Sequence, residues 1–214
     1  RPNETENLFA RVDHGKMMVT FDRGDYWQCA YVIAKGQYEA VKARGLPALL
    51  EDVLRLAPIL KAGIADVKSF DDVKLLTVAI NRMTRWTRPG LLCIGDAAHA
   101  MSPIGGVGVN LAVQDAVAAA NLLADGLTRG CPSEQELDAI RRRREFPVRM
   151  TQAMQVVVQN RIISTALKGG DRPLEVPLLL RLISALPWLQ GIPARFLAIG
   201  VRPEHVHSRA APSS

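Results

Sequence analysis

The chain has 214 residues, 48% of them hydrophobic and 5% aromatic, with a formal net charge of +6, which is enough for roughly one to one and a half well-buried domains. Its basic residues are scattered apart from Arg141-Arg142-Arg143-Arg144 and are not interleaved with aromatics, so no nucleic-acid footprint is expected. Cys29, Cys93 and Cys131 lie far apart with no Cys-x-x-Cys pair, so neither a metal site nor a disulfide framework is signalled, and a reducing, cytoplasmic setting is expected.

No methionine opens the chain, and Arg1 to Asn7 has neither the basic start nor the apolar core of a secretory signal. The sequence therefore reads as cut from something longer. Lys16 to Phe21 and Tyr26 to Ile33 are β-rich runs around Asp22-Arg23-Gly24-Asp25, the composition of an antiparallel hairpin. On the second run Trp27, Cys29, Tyr31 and Ile33 share one face and Tyr26, Gln28, Ala30 and Val32 the other. Aromatics on both faces predict that both are covered, and Trp27 and Tyr31 read as core residues before substrate contacts.

Helical spacing follows in Gln37 to Ala43 and Leu49 to Ala57, with Gly45-Leu46-Pro47 breaking the first and Pro58 closing the second. Val73 to Ile80 is β-branched and apolar enough for a strand. Leu91 to Ile94 is a short apolar run ending in Gly95-Asp96, which suits a buried strand with a carboxylate at its C-terminal end. From Val107 to Leu127 the apolar spacing is helical, with Gly126 and Gly130 bracketing the stop.

Ser133 to Glu136 is a capping box that predicts a long helix toward Gly169-Gly170. Leu137, Ile140, Met150, Met154, Val157 and Ile162 would form its apolar stripe, the two methionines as core filler, with a bend at Pro147. Arg141 to Arg144 reads as a solvated turn of this helix, compatible with a contact across a homodimer. Val176 to Val201 is apolar, but Pro177, Arg181, Pro187, Pro193 and Arg195 interrupt it, so no transmembrane segment is expected there.

The chemistry concentrates in residues 88–110, which read Arg-Pro-Gly-Leu-Leu-Cys-Ile-Gly-Asp-Ala-Ala-His-Ala-Met-Ser-Pro-Ile-Gly-Gly-Val-Gly-Val-Asn, with Gln114-Asp115-Ala116 beyond. The pattern is a strand, a carboxylate at its tip, a loop whose glycines leave amides uncovered, and a helix N-terminus with its positive dipole end. Roughly ten residues of loop separate Gly106-x-Gly108 from the strand, unlike the tight turn of the usual dinucleotide fingerprint.

Taken together, the Gly-Asp-Ala-Ala-His, Pro and Gly-x-Asn elements resemble the second FAD-binding motif of the para-hydroxybenzoate hydroxylase-like flavoprotein monooxygenases. The resemblance covers roughly residues 8 to 130 and is strongest at 88 to 116. It implies that Asp96, delivered by Gly95, binds the ribityl hydroxyls of FAD and that Pro103 lies beside the reacting edge of the flavin and the substrate. It further implies that Gly106, Val107, Gly108, Val109 and Asn110 present amides to the flavin, with Asn110 beginning the helix. NADH or NADPH would be the reductant, O2 the oxidant and a small aromatic compound the substrate.

No side chain is nominated as a catalytic acid or base: His99 has no acidic partner in the adjacent sequence and reads as structural. The implied fold is α/β, a partial two-domain flavoprotein monooxygenase. Residues 1–80 would be the C-terminal part of a substrate domain and 81–130 the second half of the FAD-binding domain. Residues 131–170 would form a long helix and 171–214 a helical extension with a flexible tail. The family's N-terminal Gly-x-Gly-x-x-Gly unit is absent from the sequence, as is its middle motif for pyridine nucleotide. Rival readings are a flavin-dependent halogenase or reductase with the same motif, although Trp27 to Ile33 lacks the halogenase Trp-x-Trp-x-Ile-Pro pattern, and a catalytically silent remnant or interaction domain.

Overall fold

The computed structural model of the chain describes residues 8–13, 15–103, 106–160, 195 and 199–207. The chain divides into two compact units, one of residues 1–77 and 158–175, the other of residues 78–157 and 176–214.

In the first unit β1 (Leu8–Asp13), β2 (Lys16–Asp22) and β3 (Trp27–Val32) form an antiparallel sheet in that order, with Phe21 opposite Gln28. The expected hairpin is present, and β1 adds a strand that sequence reading missed. Period-two alternation buries Met18 and Thr20 on one face of β2. Met18 joins Leu56, Ala57 and Leu60 in a core cluster, with Trp27 and Tyr31 packed against it. The opposite face of β3 is open, with Tyr26 before it 62% exposed, so only one face is covered and not both.

Two helices follow, α1 (Tyr38–Ala43) and α2 (Leu46–Leu56). Gly45, at φ 85°, takes the left-handed turn that starts α2, and Pro47 sits in the first helical turn, where a missing N–H costs nothing. The break expected at Gly45-Leu46-Pro47 thus falls at Gly45, and Leu46 and Pro47 already belong to the second helix, which starts earlier than the expected Leu49. From α2 the buried Asp52 carboxylate is held by Lys16, by Arg44 at 3.0 Å and by the Tyr31 hydroxyl at 3.3 Å, which ties the helix to the sheet. Burial and the neighbouring Asp52 charge push the Tyr31 phenol up to about 12. Short 3-10 turns at Pro58–Ala62, Ile64–Asp66 and Phe70–Asp72 complete the unit.

The expected strand at Val73 to Ile80 does not form: it pairs with no other segment among the described residues, and Leu75 and Leu76 are 54% and 74% exposed. β-branched composition favours extended backbone, but a strand exists only as a ladder.

In the second unit β4 (Thr87–Arg88) and β5 (Leu91–Leu92) form a two-stranded hairpin, shorter and more open than the buried strand expected, with Leu91 53% exposed. α3 (Val107–Thr128) and α4 (Glu134–Val158) follow. The capping box forms as read: Glu136 accepts from the Ser133 amide at 2.8 Å while Ser133 Oγ accepts from the Glu136 amide at 3.3 Å.

The buried face of α4 differs from the expected stripe. Leu137 and Ile140 are buried, but Met150 and Val157 are 41% and 54% exposed, and Arg144, Pro147, Val148, Thr151, Gln152 and Gln155 are inside. Ile162 lies outside the described residues, as does the expected extension and tail at 171–214 except for residues 195 and 199–207. Two clusters form the core, Trp86 with Ala98 and Val148, and Leu123 with Leu137 and Ile140. α3 is long and apolar enough to cross a membrane by composition, but its buried face carries the charged Asp115 in an ion pair with Arg144, as suits a helix of a globular core.

Residues 199–207 run as an irregular strap on α3 and α4. Gln114 donates to the Ile199 carbonyl at 2.7 Å, Asn121 to that of His205 at 2.7 Å, and Arg143 forms a two-pronged pair with Glu204 at 2.7 and 2.9 Å. These bonds hold residues 199–207 to α3 and α4, and the rest of the expected tail, residues 208–214, lies outside the described residues.

Candidate functional site

β5 leads through Cys93 and Ile94 into a single 3-10 turn, Gly95–Ala97. Gly95 has φ 58°, and a Cβ there would lie 2.9 Å from the Cβ of Ala112 on α3. Only glycine allows both the left-handed backbone and this approach. Asp96 is next on the turn and exposed to solvent. Its Oδ1 would be 3.9 Å from a Cβ built on Gly108, so the bare Cα of Gly108 keeps the carboxylate's side of α3 open. Asp96, Gly108, Val109, Ala112, Val113 and Ala116 line a groove of about 330 Å³. Gly108, Ala112 and Ala116 recur every four residues, so one helix face of small side chains forms its floor.

Gly106, at φ 64°, is the N-cap of α3, and no side chain among the described residues caps the helix. The first-turn amides are therefore available to electron-rich oxygens. Pro103 is exposed, and its carbonyl accepts from the Gly106 amide at 3.0 Å, closing the loop onto the helix.

The structure thus brings Asp96, Gly108 and Val109 together around the groove, with Pro103 and Gly106 at the entry to α3. Gly95 and Val107 are buried and act as spacers. Asn110 does not begin the helix: it is the fourth helical residue and is exposed, because the left-handed Gly106 starts α3 four residues earlier than a side-chain cap at Asn110 would.

His99 is structural as read, but it has the acidic partner that the adjacent sequence lacks. Its Nε2 is 2.6 Å from Asp115 Oδ2, with side-chain exposures of 1% and 0%. The same oxygen accepts from the Gly95 amide at 3.0 Å, and Oδ1 accepts from Arg144 Nε at 2.9 Å. Burial pushes the Asp115 carboxyl up, but the bonds from His99, Arg144 and Gly95 outweigh it and hold it below the usual carboxylate range. An ionised carboxylate only accepts, so His99 Nε2 carries the proton. Its Nδ1 has no partner among the described residues, and Trp86 packs against the ring at 5.1 Å.

Arg144 corrects the solvated reading of the arginine run: its side chain is fully buried, and it also donates to the Arg202 carbonyl at 3.3 Å and to Gln114 Oε1 at 3.2 Å. Arg141, Arg142 and Arg143 do face solvent at least in part, at 24%, 61% and 51% exposure. A signal for Arg144 was present in the sequence, since it lies four residues after Ile140 and four before Val148 on the core face.

Two further residues were missed, Gln152 and Gln155 on α4. Gln155 Oε1 accepts from the Ser102 amide at 3.1 Å while its Nε2 donates to the Ser102 carbonyl at 2.8 Å. Gln152 donates to the carbonyls of Asn81 and Ala100 at 2.8 and 3.1 Å and accepts from Arg82 at 2.8 Å. Side-chain amides thus serve backbone groups of the loop 99–103, much as a neighbouring strand would.

A family model described as an FAD binding domain matches residues 4–154. Among curated relatives, 6-methylpretetramide 4-monooxygenase of Streptomyces rimosus is 39% identical over 142 residues, which are 66% of this chain and 34% of that protein. The FAD-dependent monooxygenase ltmM of Epichloe festucae (strain Fl1) is 30% identical over 84 residues, 36% of this chain and 18% of that one. Among solved structures, PqsL, a probable FAD-dependent monooxygenase from Pseudomonas aeruginosa, superposes with a TM-score of 0.57 at 23% identity, covering 78% of this chain and 46% of its own. A second structure of PqsL is a complex with 2-aminobenzoylacetate. The chain spans about a third of the length of the Streptomyces relative and under half that of PqsL. With the match running over most of its residues, and with PqsL sharing its fold, this chain belongs to the FAD binding domain family.

Proposed function

We propose that the protein, expressed from its whole reading frame, is an FAD-dependent monooxygenase that uses NADH or NADPH and O2 to hydroxylate an aromatic or similar small substrate. The observation that carries this reading is the exposed Asp96 carboxylate across the bare Cα of Gly108, beside the uncapped N-terminus of α3. A carboxylate of this kind accepts from the hydroxyls of a ribityl arm, and first-turn amides donate to flavin oxygens. The residues present therefore fit one portion of FAD, with Gly95, Asp96, Pro103 and Gly106 to Asn110 as this chain's share of the site. Bound FAD would supply the redox chemistry.

What the chain's own residues contribute is placement. Gly95 brings the Asp96 turn against α3, the Asp115 carboxylate holds that turn by its backbone, and the small side chains of α3 leave room beside it. Relatives named for 6-methylpretetramide and crystallised with 2-aminobenzoylacetate support an aromatic substrate class. We also propose a cytoplasmic location, which the three free thiols favour. The protein should purify yellow and oxidise NADH or NADPH faster when phenolic or similar aromatic compounds are added. A folded protein that shows no flavin absorbance, even after reconstitution with FAD, overturns the reading.

A further inference from the structure

We propose that Gln155 is a positioning residue for the flavin-facing loop, setting the backbone at Ser102-Pro103. The inference rests on the function proposed above, in which Pro103 belongs to this chain's share of the FAD site, and adds to it a residue from α4, far along the chain from the motif itself. Gln155 is fully buried, as is Ser102 at 2% exposure. Its side-chain amide meets both backbone groups of one residue, accepting from Ser102 N–H at 3.1 Å and donating to Ser102 C=O at 2.8 Å. Such a two-point contact fixes the orientation of the peptide units on either side, which a single bond would leave free to rotate.

One helical turn earlier, Gln152 holds the Ala100 carbonyl, so the loop is fastened at alternate residues. On the other side of Pro103, its own carbonyl is bonded to the Gly106 amide. Pro103 is thus exposed yet held from both flanks. α4 uses polar residues on its buried face here because the loop has backbone groups to satisfy and leucine could not serve them. Asp96 is held separately, through Gly95 and Asp115, so the two halves of the site can be perturbed independently.

The test uses the whole protein reconstituted with FAD. Gln155→Leu removes both bonds, and Gln155→Glu keeps an acceptor for the Ser102 amide but loses the donor to its carbonyl. FAD affinity by fluorescence titration should stay within about threefold of wild type, a change of under one tenfold step. The visible absorption maximum and midpoint potential of the bound flavin should shift, more in the Leu variant than in the Glu variant, and the Ser102 amide should lose hydrogen-exchange protection. Ile140→Ala, which weakens α4 without touching the loop, should leave spectrum and potential unchanged. If Gln155→Leu does not fold, the Glu variant decides by the same readings. Unaltered spectrum and potential in the folded Gln155 variants, or an equal shift in Ile140→Ala, overturns this inference alone. Failure of the wild-type protein to bind FAD overturns it together with the function on which it rests.

Discussion

The Nε2 of His99 lies 2.6 Å from Asp115 Oδ2, and both side chains are inside the second unit. Because the same carboxylate oxygen also takes the Gly95 amide, one atom of α3 fixes both ends of the segment that carries Asp96. The geometry separates two kinds of residue that lie side by side in the motif: Asp96 is exposed and available to a ligand, whereas His99 is consumed in holding the turn.

Asp96→Ala should therefore weaken FAD retention while leaving the fold intact. Hydrogen bonds to a charged acceptor are each worth about 1.5–3 kcal/mol, so losing one should cost roughly 10- to 150-fold in affinity. An exposed side chain away from any special contact changes stability by about 0.5 kcal/mol at most. His99→Ala should show the reverse, a lower melting temperature with a smaller effect on affinity per folded molecule. Fluorescence titration beside thermal denaturation of both variants checks the pair, and equal flavin affinity in wild type and Asp96→Ala would count against the assignment.

Arg144→Met should destabilise the second unit by about 3–5 kcal/mol, because it leaves the Asp115 charge buried without its cation. Adding Asp115→Leu to the same chain should recover part of that loss, since no lone charge then remains. Urea unfolding of the singles and the double gives the coupling directly. Fully additive losses would show that the two side chains do not act as a pair.

Acid should unfold the second unit through Asp115. Its carboxyl sits below the ordinary value of about 3.9, so the unfolded chain binds the proton first. The stabilisation is fully present above that ordinary value and is lost as pH falls through the folded-state value. Glu204, held down by Arg143, adds a second group of the same sign. Stability measured from pH 6 to pH 3 should fall more steeply in wild type than in Asp115→Asn, by up to one proton's share of the slope. Parallel curves would assign the acid sensitivity elsewhere.

Much of the site was legible because it depends on local order: strand, carboxylate, glycines and helix start follow one another within residues 88–110, and the family resemblance carried by that order implies Asp96 as the cofactor-binding carboxylate. Its support was not, because His99, Asp115 and Arg144 are 16 and 29 residues apart in successive steps and meet only after α3 and α4 have packed. A buried arginine looks like a surface arginine until the helix phase is fixed by Ile140 and Val148. Val73 to Ile80 failed for a related reason, since strand propensity was present and no partner strand lies among the described residues. The glutamines of α4 were passed over because polar residues on a helix suggest solvent, whereas here they face a loop that needs donors and acceptors.

The 214-residue chain by itself should fail to hold FAD one-to-one and should be only marginally stable. It carries the Asp96 turn and the α3 N-terminus, but its sequence has no Gly-x-Gly-x-x-Gly unit, whose tight turn and helix N-terminus bind a dinucleotide pyrophosphate. Without those contacts the affinity should fall by several tenfold steps, each worth about 1.4 kcal/mol. Apolar surface points the same way: on α3 Val109 and Val113 are 71% and 57% exposed beside the groove, and Leu91 at the hairpin is 53% exposed. Each such side chain forgoes part of the roughly 1.5–3 kcal/mol that full burial would contribute, and contiguous apolar surface promotes association. The chain should bind a hydrophobic dye, aggregate readily, and gain solubility when co-expressed with a segment that supplies the missing unit. Isothermal titration with FAD and size-exclusion chromatography decide between the outcomes. A monodisperse chain that binds FAD one-to-one at submicromolar affinity would show that Asp96, the α3 amides and the groove between them suffice.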